Sequence, residues 1–293
     1  MKKIIQKAAA IHDLSGYGRA SLTTVIPILS TMGVQVCPLP TAVLSTQTSG
    51  FENYSFIDLT DYMEEHISHW KSLKLDFDCI YSGFLGSVRQ IKIVSDFIDY
   101  FGTEENLVVV DPVMGDNGIL YDSMDKGIIS EMRKLIGKAD IITPNFTEAA
   151  FLLNEEYKKE ITLDEAKKWL KKLSDLGSKI VIITSVPLKN EEDKISVLAY
   201  EKEKNNFWKV SCRYMPVSYP GTGDAYTSVV VGSLMQGDNL PAAIDKGMQF
   251  ISHCIKSSYG FMYPQREGVL LEKNLPLLNM PVFNASYELI NNK

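Results

Sequence analysis

Short apolar runs rich in β-branched or small residues recur along this chain, at residues 8–11, 34–39, 79–81, 107–110, 141–142 and 180–184. Between several of them lie segments with helical apolar spacing, at 22–32, 88–101, 126–135 and 163–176. Alternation of this kind restricts the fold severely. Right-handed crossovers make successive strands parallel, helices must cover both faces of the resulting sheet, and ligands then bind outside the carboxyl ends of the strands. The expected fold class is α/β, with a mostly parallel central sheet flanked by helices on both faces. Polar residues gather where that rule puts a site: His12, Asp13 and Ser15, then Ser82 and Gly83, Asp111, Thr143 and Asn145, with Thr184 ending another strand. Loops begin at strand ends and are polar in any case, so the clustering supports a site without proving one.

Two stretches break the alternation. Residues 43–59 are rich in Ser, Thr and aromatics, which suits a strand pair or small flap. Residues 195–210 hold two strand-like runs around a charged 201–206 tip and read as a hairpin. Residues 238–257 are helix-like, with Pro241 placed for a first turn. No repeat or linker composition divides the 293 residues, so a single domain over 1–293 is expected. The net charge of −6 argues against a nucleic-acid partner, though not against a nucleotide, since a local nest of N–H groups binds phosphate whatever the overall charge. Four scattered cysteines form no C-x-x-C pair, and no run of apolar residues approaches eighteen, so free thiols, no membrane span and a cytoplasmic location are the expectations.

The segment Tyr219-Pro220-Gly221-Thr222-Gly223-Asp224-Ala225-Tyr226 runs straight into an apolar stretch. Two glycines one residue apart let the backbone turn with its N–H groups converging, and the following helix aims its partially positive end at the same point. Asp224 stands where loop becomes helix. It is either a helix cap, or a carboxylate set beside a phosphate to take a proton from a second substrate. Asp111, in Asp111-Pro112-Val113-Met114-Gly115 after the valine run, is either a turn residue or a buried carboxylate met by a metal, a water network or a ligand. In Thr143-Pro144-Asn145-Phe146-Thr147-Glu148, Glu148 either complements a helix dipole or, with Asn145, orders water around a magnesium ion.

Taken in order, Asp-Pro-Val at 111, Thr-Pro-Asn-x-x-Glu at 143–148 and Gly-Thr-Gly-Asp at 221–224 resemble the layout of the pyridoxal kinase branch of the ribokinase-like superfamily. The segment 40–51 is similar to that branch's vitamin-binding stretch, and Tyr81-Ser82-Gly83-Phe84-Leu85-Gly86-Ser87 is similar to its Ser-Gly-Tyr-Leu-Gly-Ser turn. The resemblance implies a kinase that moves the γ-phosphate of ATP to the hydroxymethyl group of pyridoxal, pyridoxine or pyridoxamine. It implies Asp224 as general base, with the amides from Gly221 through Gly223 to Asp224 stabilising charge on the transferred group. Ser15, Thr48 and Phe84 would meet the acceptor. Asp111 and Glu148 would act through Mg²⁺ and water, while Tyr121, Asn145, Thr184 and Thr222 would lie along the nucleotide. A homodimer is expected on the same ground, and a monovalent-cation requirement stays open.

Gln47 stands where the branch often has His, and Phe84 where it often has Tyr. The opening Asp13-Leu14-Ser15-Gly16 also resembles the hydroxymethylpyrimidine kinases of thiamin synthesis, which keeps that acceptor as an alternative. A non-catalytic binder of pyridoxal phosphate or nucleotide is the reading from another class. His66 and His69 read as one face of an exposed amphipathic helix, and residues 167–172 as a solvated lysine face.

Overall fold

A computed structural model of the protein describes residues 4–121, 124, 127–280 and 285–291. Its centre is β1 (Gln6–Ser15), whose stretch from Ala8 to Asp13 is buried without interruption, as a strand covered on both faces must be. α1 (Leu22–Thr31) returns the chain to β2 (Val34–Leu44), which pairs parallel with β1. β3 (Phe56–Asp58) then pairs antiparallel with the end of β2, which is the strand pair expected within 43–59.

The chain next crosses to the other side of β1 through α2 (Thr60–Ser72), and β4 (Cys79–Ser82) pairs parallel with β1 there. α3 (Val88–Phe101), β5 (Leu107–Val110), the small hairpin β6 (Gly115–Asp116) and β7 (Ile119–Leu120), α4 (Gly127–Ile136), β8 (Ile141–Ile142), α5 (Phe146–Leu153), α6 (Leu163–Ser174) and β9 (Ile180–Val186) continue outward on that side. Sheet order through β9-β8-β5-β4-β1-β2 is parallel throughout, so the progression reverses at β1. A crevice at such a reversal is where open α/β sheets take ligands. Lys126, the expected first residue of α4, lies outside the described residues.

β10 (Lys194–Glu201) and β11 (Asn206–Arg213) form the expected hairpin and extend the sheet antiparallel beyond β9. α7 (Thr222–Gln236) and α8 (Leu240–Gly260, with Pro241 in its first turn) follow, then α9 (Leu271–Asn274) and β12 (Glu288–Leu289), which pairs with β11. One apolar layer joins the sheet to α2 through α6, with Ile91, Phe97, Met132, Trp169 and Leu170 buried in it. The opposite layer holds Val25, Leu29, Val229 and Ile244 from α1, α7 and α8. Helices thus cover both faces, as the alternation requires.

The lysine stretch is a solvated face at Lys168, Lys171 and Lys172 and departs from expectation at Lys167 alone. Lys167 is buried and lies 5.6 Å from the centre of the Phe207 ring, and Lys171 lies 5.4 Å from the same ring. Both ammonium groups sit over the hairpin's Phe207 ring, and Lys168, Lys171 and Lys172 are exposed. All four cysteines are free thiols. Among the described residues, no helix is long and apolar enough to cross a membrane.

Candidate functional site

The carboxyl ends of β5, β8 and β9 and the amino end of α7 open onto one cavity of about 890 Å³. Gly221, Thr222, Gly223 and Asp224 line it on the α7 side, and Asp111, Tyr121, Asn145, Glu148 and Thr184 on the other. Nine residues singled out from separate stretches of sequence therefore meet in one place. Asp116, Ser185, Thr227 and Arg266 join them without having been expected.

The turn into α7 is built as its glycines require. Gly221 caps the helix at φ 75°, a left-handed conformation that a side chain disfavours. A Cβ there would also stand 2.1 Å from the carbonyl oxygen of Arg19, because the β1–α1 loop packs directly on the turn. First-turn N–H groups of a helix lack intrahelical partners and carry partial positive charge, so the end of α7 offers the cavity a seat for an anion.

Asp224 is held from the same loop. The Ser21 N–H donates to its Oδ2 at 2.8 Å. Ser21 in turn sits at φ 51°, and its Oγ donates to Asp13 Oδ1 at 2.5 Å, while Ser15 Oγ donates to Asp13 Oδ2 at 3.2 Å. Asp13 and Ser15 thereby clamp the strained Ser21, and Ser21 fixes Asp224. The capping alternative fails on geometry, since Gly221 is the cap residue and makes no side-chain hydrogen bond, while the Asp224 carboxylate points at Ser21. Its side chain is 13 % exposed. Burial pushes its pKa up to about 7, against the Ser21 N–H, which favours the charged form; the charge of Asp13 adds to the rise. A carboxylate poised there exchanges protons near neutrality.

Across the cavity, Asn145 and Glu148 form a capping box at the start of α5: Asn145 Oδ1 accepts from Glu148 N at 2.9 Å and Glu148 Oε2 accepts from Asn145 N at 2.8 Å. Glu148 Oε1 accepts from Met114 N at 3.0 Å. Glu148 is thus a helix-capping residue that also lines the cavity. Asn145 Nδ2 donates to Gly115 O, tying the β6–β7 hairpin to α5. Burial raises the Glu148 carboxyl above its ordinary range, and burial with the charges of Glu148 and Asp224 raises Asp111 well above its own. Tyr121 is pushed up by burial and by the same carboxylates. Thr222 Oγ1 donates to Tyr219 O, and Thr184 N to Pro144 O, which leaves the Thr184 side chain at the cavity wall.

Three residues expected to meet the acceptor are not among those lining this cavity. Ser15 is buried and spends its hydroxyl on Asp13, so its effect on the site is indirect. Thr48 is exposed on the 45–55 loop, whose next residues Ser49 and Gly50 do line the cavity. Phe84 is half-buried beside Gly86, outside the lining. Gln47 binds the 263–268 segment, donating to the Arg266 carbonyl oxygen at 2.7 Å. Arg266 stacks its guanidinium 5.1 Å from the centre of the Phe51 ring and is the single Lys or Arg in the lining among the described residues.

Residues 17–267 match the phosphomethylpyrimidine kinase family. A Bacteroides thetaiotaomicron protein provisionally named a phosphomethylpyrimidine kinase, whose crystal structure was determined with pyridoxal, is 57% identical, with a TM-score of 0.94 and coverage of 98% of this chain and 100% of that one. The chloroplastic thiamine biosynthetic bifunctional enzyme of Arabidopsis thaliana is 25% identical over 260 residues, 88% of this chain and 48% of the enzyme. A pyridoxal kinase of Rubrobacter xylanophilus is 30% identical over 170 residues, 56% of this chain and 57% of that kinase. The chain thus spans about half the length of these last two relatives. With the match extending from the β1–α1 loop to the 264–266 segment that lines the cavity, the chain belongs to the phosphomethylpyrimidine kinase family, in the ribokinase-like fold that it shares with pyridoxal kinases.

Proposed function

We propose that this protein transfers the γ-phosphate of ATP to the hydroxymethyl group of pyridoxal, pyridoxine or pyridoxamine. The observation that carries the acceptor is the pyridoxal in the crystal structure of the 57% identical Bacteroides protein. The site supports the reaction class. Asp224 Oδ1 takes the proton of the acceptor hydroxyl while the alcohol oxygen bonds to the γ-phosphorus, and the bond from that phosphorus to the bridging oxygen breaks to leave ADP. Charge gathering on the phosphoryl oxygens meets the N–H groups at the start of α7, and little more than positioning and electrostatics is asked of the protein.

The acidic wall fits a magnesium ion. Asp111 and Glu148 are carboxylates whose ionisation is disfavoured by burial, so a cation nearby stabilises both. Each Glu148 oxygen already accepts one backbone N–H, which suits contact through water better than direct ligation. A pair of carboxylates on one wall suits an ion that keeps several waters and leans on phosphate oxygens. Bound there, the ion would neutralise charge on the β- and γ-phosphates.

Hydroxymethylpyrimidine is the second acceptor reading, favoured by the family match and by Asp13-Leu14-Ser15-Gly16. An ADP-release assay offering pyridoxal, pyridoxamine and hydroxymethylpyrimidine separates the two. A B6 alcohol is expected to lead in kcat/KM by at least about tenfold, the scale on which one apolar pocket separates similar ligands. The reverse ranking would transfer the assignment to the pyrimidine, and tight binding without ADP release would make the protein a binder.

The pH dependence of kcat/KM follows from Asp224. The base works as carboxylate, so below its pKa of about 7 activity falls with the ionised fraction, and above it activity levels off. A profile flat from weakly acidic to weakly basic pH would be incompatible with this carboxyl as the base.

A further inference from the structure

His12, near the carboxyl end of β1, is 0% exposed, and neither ring nitrogen has a hydrogen-bond partner among the described residues. An unpartnered buried polar group is destabilising, so an apolar residue would serve packing better. The surroundings are built around the ring. Tyr81 of β4 meets it edge-on with centres 4.4 Å apart, and a Cβ on residue 83 would lie 2.2 Å from Nδ1, so the turn after β4 admits the imidazole only because that residue is Gly83.

Asp224 is also beside the ring: His12 Nδ1 stands 3.9 Å from Asp224 Oδ1. The titratable groups facing the pair are Asp13 from β1, Tyr81 from β4 and, through its charge on Tyr81, Asp111 beyond β5. Burial drives the imidazole pKa down to about 3, so His12 stays neutral and the pair is no ion pair. Oδ2 of Asp224 is taken by Ser21, which leaves Oδ1 as the oxygen free to receive a proton, and His12 is the ring beside it.

We propose that His12 is a positioning residue which holds Asp224 Oδ1 toward the acceptor hydroxyl, through a hydrogen bond at Nδ1 that closes when the acceptor binds. The inference rests on the reading of Asp224 as the base. At 3.9 Å the contact is longer than a hydrogen bond, and catalytic hydrogen bonds commonly tighten only in the substrate complex. Neutrality matters here. An imidazolium would pin Asp224 as a weak base, whereas a neutral ring supplies one N–H and one lone pair and tolerates both protonation states of the carboxyl.

The test compares His12→Leu, His12→Asn and His12→Gln in the full chain, reading kcat, KM for ATP, thermal stability and the pH profile of kcat, which reports the substrate complex in which the bond is closed. The Asn amide reaches toward the position of Nδ1, and the Gln amide toward that of Nε2. His12→Leu is expected to lower kcat by up to about 100-fold with KM for ATP unchanged, and to move the acidic limb to higher pH because a donor to the carboxylate is lost. His12→Asn is expected to recover most of kcat and the wild-type limb, and His12→Gln neither. Equal losses in all three with an unmoved limb would mean packing alone, and wild-type kcat in all three would remove His12 from the site; either result overturns the proposal. Should His12→Leu fail to fold, the Asn and Gln variants decide. Asp224→Asn assayed alongside keeps the two readings apart: full turnover there sinks the base itself, while impaired turnover there with indifferent His12 variants sinks this inference alone.

Discussion

Replacing Asp224 by Asn lowers kcat by about 10²- to 10⁴-fold, the usual range for a positioned general base, while fold and nucleotide affinity persist. The substitution is close to isosteric, and the Asn carbonyl oxygen can still accept the Ser21 N–H that now reaches Oδ2. Burial already disfavours the charge of this carboxyl, so its removal relieves a desolvation cost. Stability therefore holds or rises. The nucleotide should bind no worse, because the cavity carries four acidic residues, Asp111, Asp116, Glu148 and Asp224, and the variant subtracts one negative charge from a site meant for phosphate. Steady-state kinetics, calorimetric titration with a nucleotide and a melting curve on the same preparation separate the three quantities. Near-normal kcat in the folded variant would remove the base from the mechanism.

How much of this site the chain announces depends on how local each signal is. β1, β4, β5, α3 and α6 follow from apolar spacing within a dozen residues, and the Thr162–Glu165 capping box of α6 is a four-residue pattern. The turn at Gly221 likewise carries its own chemistry in adjacent residues. The clamp on Asp224 is of another kind, since Ser21 and Asp224 are 203 positions apart and Ser21 has an unremarkable sequence context. Arg266 reaches the cavity because Gln47 grips its carbonyl across 219 positions, which no short-range pattern encodes. Lys167 misleads for a related reason: its charge reads as solvated, yet tertiary packing buries it with its ammonium group 5.6 Å from the centre of the Phe207 ring. Short elements such as β12 exist only because β11 offers an edge, so their own sequence need not favour a strand.

The two glycines of the α7 turn should respond oppositely to one methyl group. At Gly221, Ala must adopt φ 75°, which costs about 1–2 kcal/mol, and its Cβ would collide with the Arg19 carbonyl oxygen at 2.1 Å and Ala20 Cα at 3.0 Å. Both obstacles are backbone, so the β1–α1 loop has to move, at a further cost of about 1–3 kcal/mol typical of overpacking. That loop carries Ser21, so Gly221→Ala is expected to melt at lower temperature and also to lose activity as the hold on Asp224 loosens. At Gly223 a Cβ meets no protein atom within 4 Å, and the residue lies in the first turn of α7, where Ala is no worse than Gly. Gly223→Ala should thus melt at or above the wild-type temperature. Its methyl group nevertheless enters the space at the helix end where the transferred phosphoryl group is proposed to sit, and blocking one N–H donor there would cost about 10²- to 10³-fold in kcat. Stability lost at 221 and kept at 223, with turnover impaired at both, is the pattern that distinguishes an anion seat from an ordinary tight turn. Wild-type kcat in Gly223→Ala would mean that the open space at the end of α7 receives nothing during the reaction.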